Sequence, residues 1–219
     1  MGRHEIDGEY MGQLVHRVPS FSREKVQRVH IIGGSGCGKT TLARQVAARL
    51  GIPVYHLDEI YFGSESYFKD KMETYRPLDV RLADVSRIAA QSAWVTEGNY
   101  LWWTEELLHR ANVIIWLDFP WRVTAWRIII RQVHKGLIHP THNPIGQKLD
   151  RFIRFFYRQR KYYLNSIPLE HNSLIDDNVK NRVTTAHYLA SYTDKVVRCC
   201  SVSQVETFLA SIDKKIETL

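Results

Sequence analysis

The chain has 219 residues, of which 44% are hydrophobic and 24% charged, the size and composition of one globular domain with room for inserted mobile segments. A net charge of +7 favours an anionic partner, whether nucleotide, nucleic acid or acidic membrane surface. Three cysteines, two of them adjacent (Cys199 and Cys200), exclude a disulfide framework and fit a reducing compartment. The longest apolar runs, VIIWLDF and WRIII, are too short to span a bilayer, and MGRHEIDGEYMGQ lacks the apolar stretch of a secretion signal, so a cytoplasmic location is expected.

Residues 1–27 are polar and aperiodic and read as an extension ahead of a single domain over 28–219. Arg28–Ile32 has the apolar, β-branched character of a buried parallel strand. A glycine-rich turn leads into a helix over Lys39–Leu50, with Leu42, Val46 and Leu50 on one face and Gly51 and Pro53 closing it. PVYHLD (53–58) predicts a second short strand, and LDVRLADVSRIAAQ a helix with Leu78, Leu82, Val85 and Ala89 at helical spacing. AWVTEG (93–98) and NVIIWLDF (112–119) read as strands, the second interior to the sheet. Pro120 then suits the first turn of a helix to about Lys135.

GLIHPTHNPIGQ (136–147) reads as a loop, followed by a helix ending before Pro168. Leu149, Phe152, Ile153, Phe156, Tyr163 and Leu164 form its apolar side, and Arg151, Arg154, Arg158 and Lys161 a basic stripe. Residues 169–192 are ambiguous, with a helix possible around Val183–Tyr192. KVVRCC (195–200) completes the strands, and Ser203 with Glu206 can form a capping box for a closing helix carrying Val205, Phe208, Leu209 and Ile212. This alternation predicts an α/β protein whose mainly parallel sheet is covered on both faces.

Gly33-Gly34-Ser35-Gly36-Cys37-Gly38-Lys39-Thr40 fits G-x-x-x-x-G-K-[ST] between a predicted strand and a predicted helix, with Thr41 following. Glycines let successive backbone N–H groups turn inward around phosphate oxygens, and the helix that follows presents its positive end. Lys39 can neutralise the β- and γ-phosphates, and the Thr40 hydroxyl can ligate Mg²⁺. A nucleoside triphosphate, ATP with Mg²⁺, is the expected ligand. Cys37 reads as a small residue facing the turn rather than as a redox switch.

The segments VHIIGGSGCGKTTLARQVAARLGIPVYHLDEIYF, WVTEGNY and ANVIIWLDFPWRVTAWRIIIR resemble adenylate-kinase-like proteins of the DNA topology modulation family, within the nucleoside and nucleotide kinase branch of P-loop NTPases. The likeness spans about 28–165 and resumes more weakly near KVVRCCS and the final helix. It implies a three-layer P-loop NTPase sandwich with a five-stranded sheet and an inserted helical lid over 136–165. It also implies that Glu97, where the family has Asp, stands at the Mg²⁺ or the acceptor, and that Asp58 lies beside the acceptor hydroxyl. Arg127 and Arg131 would share a helical face over the nucleotide, one on adenine and the other on phosphate. Arg151, Arg154 and Arg158 would bring charge to the transferring phosphoryl group; a solvated basic face or a nucleic-acid stripe remains the alternative.

Residues 60–92 occupy the place of an acceptor-binding segment, where Tyr61, Phe62, Tyr67, Phe68 and Arg76 could frame a planar group or simply pack, as could Trp102 and Trp103. His134, His139 and His142 lack the matching cysteines of a zinc site. The leading expectation is therefore an ATP-dependent phosphotransferase for a nucleoside, nucleotide or other small acceptor, as monomer or homodimer and without a membrane partner. A nucleic-acid-associated ATPase or regulator is the alternative; an N-K-x-D base-reading pattern, expected of a GTPase, is absent from the sequence.

Overall fold

The computed structural model describes residues 26–63, 75–138, 145–165 and 181–213. Five strands, β1 (Arg28–Gly33), β2 (Val54–His56), β3 (Trp94–Gly98), β4 (Val113–Leu117) and β5 (Val196–Cys199), form one sheet in the order β2-β3-β1-β4-β5. Every pairing is parallel, with Ile31 beside Glu97 on one side and Ile115 on the other. Between the strands run α1 (Lys39–Leu50), α2 (Leu57–Phe62), α3 (Leu78–Ala89), α4 (Glu105–Arg110), α5 (Trp121–Ile138), α6 (Ile145–Leu164) and α7 (Arg182–Leu189), and α8 (Val202–Asp213) follows β5.

A parallel sheet covered on both faces requires apolar side chains at alternate and intervening positions alike, which is why β4 reads as an unbroken hydrophobic run and β1 as one interrupted only by His30 after Arg28. Val29, Ile31, Val113 and Ile115 meet Leu42, Ala43 and Val46 of α1 and Phe208, Leu209 and Ile212 of α8. On the opposite face Ile32, Ile114 and Trp116 share a second core with Leu57, Val85, Ile88, Trp103, Leu107, Leu108 and Leu189. The result is the three-layer α/β sandwich of the P-loop NTPase fold, with every strand delivering its C-terminal end to the same rim.

Several boundaries differ from the sequence reading. Leu57 and Asp58, read as strand, open α2; Asp58 and Glu59 lie in its first turn, where carboxylates complement the helix dipole. On α3 the buried face holds Arg81, Val85, Ile88 and Ala89, while Leu78 and Leu82 are exposed. The Arg81 guanidinium lies 4.7 Å from the Tyr61 ring centroid and 5.3 Å from that of Trp103, so cation–π contact and an apolar stem turn an arginine inward. Helix α5 continues three residues past Lys135, into the stretch read as loop, and α6 begins at Ile145.

The closing helix starts at Val202, and its cap, Ser201, lies two residues before the apparent one. Ser201 Oγ accepts from the Gln204 N–H at 3.3 Å and Gln204 Oε1 from the Cys200 N–H at 2.6 Å, whereas Ser203 lies inside the helix with its carbonyl accepting from Thr207. Within 169–192 the helix is α7, capped by Asn181, whose Oδ1 accepts the Thr184 N–H at 2.7 Å. Val26 and Gln27, placed in the extension by sequence, already pack against the domain: Val26 is buried and the Gln27 carbonyl accepts from Trp94. Residues 1–25, and with them the rest of that extension, lie outside the described residues.

Candidate functional site

Open parallel sheets bind ligands in the crevice beyond the carboxyl ends of their strands. Here that rim collects the Gly33–Thr40 turn after β1, Asp58 after β2, Glu97 near the end of β3 and Asp118 after β4. The turn is shaped by contacts a side chain would destroy. Gly36 has φ +81°, and a Cβ there would fall 2.8 Å from both Ile128 Cγ1 and the Thr124 carbonyl of α5. Gly34 has no room either: its would-be Cβ runs into the rings of Tyr162 and Tyr163 at the end of α6. The Tyr163 hydroxyl donates to the Ser35 carbonyl at 3.4 Å, so α6 ends seated on the glycine turn.

Lys39 Nζ donates to the Gly34 carbonyl at 3.1 Å and thus bends back across the mouth of the turn. The first turn of α1 holds Thr40 and Thr41, both exposed, and Thr40 Oγ1 donates to Glu97 Oε1 at 2.9 Å. That oxygen also accepts from His56 Nδ1 at 2.9 Å, and Glu97 Oε2 enters no hydrogen bond among the described residues. Glu97 is only 6% exposed. Burial opposes its ionisation, but the His56 hydrogen bond, the Lys39 charge and the Thr40 hydroxyl outweigh it and hold the carboxyl below the ordinary glutamate range. His56 is shifted upward, chiefly by its bond to Glu97 and against its own partial burial. A buried carboxylate kept charged beside a threonine hydroxyl is an oxygen-rich site suited to a hard divalent cation.

The Cys37 side chain lies in the core below the turn, where burial pushes its thiol up and keeps it protonated. Arg127 Nη1 donates to the Cys37 carbonyl at 3.1 Å, and its guanidinium lies 4.8 Å from the centroid of Phe119. Arg131, one turn further along α5, is exposed. On α6, Arg151, Arg154 and Arg158 are all exposed; Arg154 pairs with Asp150, and no described contact brings Arg154 or Arg158 to the turn. The residues of α6 that do reach it are Tyr162 and Tyr163, of which the sequence reading named only Tyr163, on the helix's apolar side.

Asp58 Oδ1 accepts from the Tyr100 hydroxyl at 2.8 Å. Tyr100 stacks on Tyr61, whose ring also meets Phe62 and Tyr75 edge-on, so this part of the acceptor segment packs as an aromatic cluster beside the carboxylate. Arg76 is engaged by the Ile60 carbonyl and Asp84. Tyr67, Phe68, His139 and His142 lie outside the described residues, and among those described no group of His, Cys, Asp or Glu is arranged to hold a metal on its own.

Two features escaped the sequence reading. His56, to which the sequence assigned no role at the site, holds Glu97 through Nδ1. Asp118 is gripped by two arginines: Arg182 through Nε and through Nη2 at 2.8 Å, and Arg198 through Nε at 2.9 Å and Nη2 at 2.7 Å. Tyr162 and α7 share this corner, with the Tyr162 and Thr185 hydroxyls 3.3 Å apart. An aspartate closing an apolar strand in WLDFP was a visible signal for a buried ion pair, but its partners come from 64 and 80 residues away.

Sheet order, glycine turn and the helix behind it define a nucleotide-binding P-loop NTPase fold. In comparison with known proteins, the family "ATPase family associated with various cellular activities (AAA)" matches residues 29–84, and no curated protein gives a match. Among solved structures, a gluconokinase from Sinorhizobium meliloti is 15% identical, covering 86% of this chain and 93% of its own with a TM-score of 0.46. A shikimate kinase from Bacteroides thetaiotaomicron is 17% identical, covering 87% and 98%, with a TM-score of 0.43. One from Acinetobacter baumannii is 13% identical, covering 92% and 100%, at 0.42. Likenesses this distant assign neither a substrate nor an activity.

Proposed function

We propose that the chain is an ATP-dependent phosphotransferase acting on a small acceptor, a nucleoside or nucleotide before other hydroxyl compounds. The observation that carries this reading is the Thr40–Glu97–His56 chain: it keeps an ionised carboxylate buried against the phosphate-binding turn, with a second carboxylate, Asp58, in the first turn of α2 just beyond the neighbouring strand. Thr40 and Glu97 would hold Mg²⁺, directly or through its water, and the ion would neutralise charge on the β- and γ-phosphates.

The rest is positioning. Backbone N–H groups of Gly34–Thr41 surround the phosphates, and Lys39 exchanges the Gly34 carbonyl for a phosphate oxygen. Arg127, anchored at Cys37, lies over the nucleotide. Asp58, oriented by Tyr100, accepts the acceptor's hydroxyl proton as that oxygen attacks the γ-phosphorus; the bond to the β–γ bridging oxygen breaks, and ADP leaves. Arg131, Arg154 and Arg158 supply charge to the transferring group when α5 and α6 close over it. Transfer of this kind needs geometry and charge rather than covalent chemistry from the protein.

A coupled assay of ADP formation across nucleosides, nucleoside monophosphates, small alcohols and single-stranded DNA tests the proposal. At least one small acceptor should raise turnover well above basal hydrolysis, Lys39→Ala should abolish it, and Asp58→Asn should lower kcat far more than ATP affinity. Turnover indifferent to every small acceptor, or full activity in Lys39→Ala, would sink it.

A further inference from the structure

Residues 121–164, which contain α5 and α6, carry ten of the thirty Lys and Arg but one of the twenty-three Asp and Glu, a net charge of +9. The remainder of the chain is therefore net −2. The same two helices expose apolar side chains in rows. On α5, Val123, Trp126, Ile130 and Val133 recur at spacings of three and four, with Trp126 63% and Val133 53% exposed. Thr124 and Ile128, on the other side of α5, face the glycine turn, so this row points away from the site. On α6, Leu149, Ile153 and Tyr157 recur every four residues and are 55%, 45% and 60% exposed, while Phe156 and Tyr163 of the same helix pack on Trp121.

Exposed apolar rows on a nearly acid-free basic helix pair need an occupant that is both anionic and apolar. A second copy of the chain would set +9 against +9. A nucleic acid satisfies the charge and could stack on Trp126 and Tyr157, but it gains little from Val123, Ile130, Val133, Leu149 and Ile153. A bilayer surface rich in anionic lipid meets both demands: its phosphates take exposed basic side chains that the nucleotide site does not use, Arg122, Arg160 and Lys161, and the acyl boundary takes the aliphatic and indole groups. Among the described residues no helix is long and apolar enough to cross a membrane, so the helices would lie on the surface. We propose that α5 and α6 form a docking face for anionic membrane surfaces, separate from the phosphate-binding turn.

The test is co-sedimentation of the full chain with phosphatidylcholine vesicles, with and without a quarter of phosphatidylglycerol, at low and high salt. Binding should require the anionic lipid and weaken with salt. A Trp126→Ser, Val133→Ser, Ile153→Ser variant should bind at least about tenfold more weakly, since each change removes apolar area from the buried face. Its far-ultraviolet circular dichroism and basal ATP turnover should remain those of the parent. Absence of binding to anionic vesicles overturns the proposal, as does binding that the triple substitution leaves unchanged. A single-stranded oligonucleotide that anionic vesicles cannot displace, or a dimer in sedimentation equilibrium that the substitutions dissolve, would assign the face to those partners instead. Vesicle binding is measured without nucleotide, so its failure leaves the phosphotransfer reading standing, and the reverse also holds.

Discussion

Asp118→Ala should destabilise the protein more than any single arginine replacement around it. The carboxylate is 1% exposed and accepts from two guanidinium groups, of which Arg198 is 12% and Arg182 35% exposed. Removing it leaves two like charges facing each other, one almost wholly buried, and breaking a buried ion pair from one side costs about 3–5 kcal/mol. The partial exposure of Arg182 discounts its share, so about 3 kcal/mol is expected. Urea unfolding followed by circular dichroism should then show a midpoint lower by roughly 1 M, for a slope of about 2–3 kcal/mol per M. Arg198→Met gives the internal check: the carboxylate keeps Arg182, the apolar stem is replaced, and the loss should be about half as large. A loss below about 1 kcal/mol for Asp118→Ala, or a larger one for Arg198→Met, would refute the view that charge imbalance in this corner sets its stability.

Gly36→Ala should weaken ATP binding at least about tenfold by calorimetry, because a left-handed backbone and two 2.8 Å contacts must both give way; an unchanged affinity would show that the turn relaxes freely. Gln204→Ala removes the acceptor of the Cys200 N–H and should lower stability by about 1 kcal/mol, a fall of about 2–4 °C in Tm; no change would mean that water replaces the cap. His30 is buried in the sheet beside Thr96, and burial lowers its pKa to about 4, against the opposing pull of Glu97. The folded state therefore keeps it neutral while the unfolded chain takes up a proton below about pH 6.5. Its contribution is complete above that pH and is lost between pH 6.5 and 4, by up to about 3 kcal/mol. The stability of His30→Gln measured by urea unfolding should accordingly fall less steeply over this window, and parallel curves would rule the effect out.

Strands and the glycine turn were legible because their signals are local: apolar runs for a doubly covered parallel sheet, and a spacing that backbone geometry requires for phosphate. Side chains that complete the site are another matter. Glu97 could be read as a strand-end acid, but its burial depends on Thr40 and His56, which approach from two other elements. Arg81 breaks the apolar period of α3 because Tyr61 and Trp103, distant in sequence, offer ring faces that a hydrophobicity pattern does not represent. Ser203 with Glu206 satisfied the cap pattern as well as Ser201 with Gln204 did, and only the path of the chain out of β5 separates them. The apolar side read along α6 misled in the opposite sense: Leu149 and Ile153, grouped there with Phe156 and Tyr163, stand in solvent.

The partition of charge, +9 over residues 121–164 against −2 elsewhere, also makes the molecule a dipole in solution. A polyanion approaching from any direction experiences a torque that turns α5 and α6 toward it before the surfaces meet. Nucleotide and membrane alike would then arrive by oriented collision. Their association rates should decline with ionic strength even where the final contacts are short enough to escape screening.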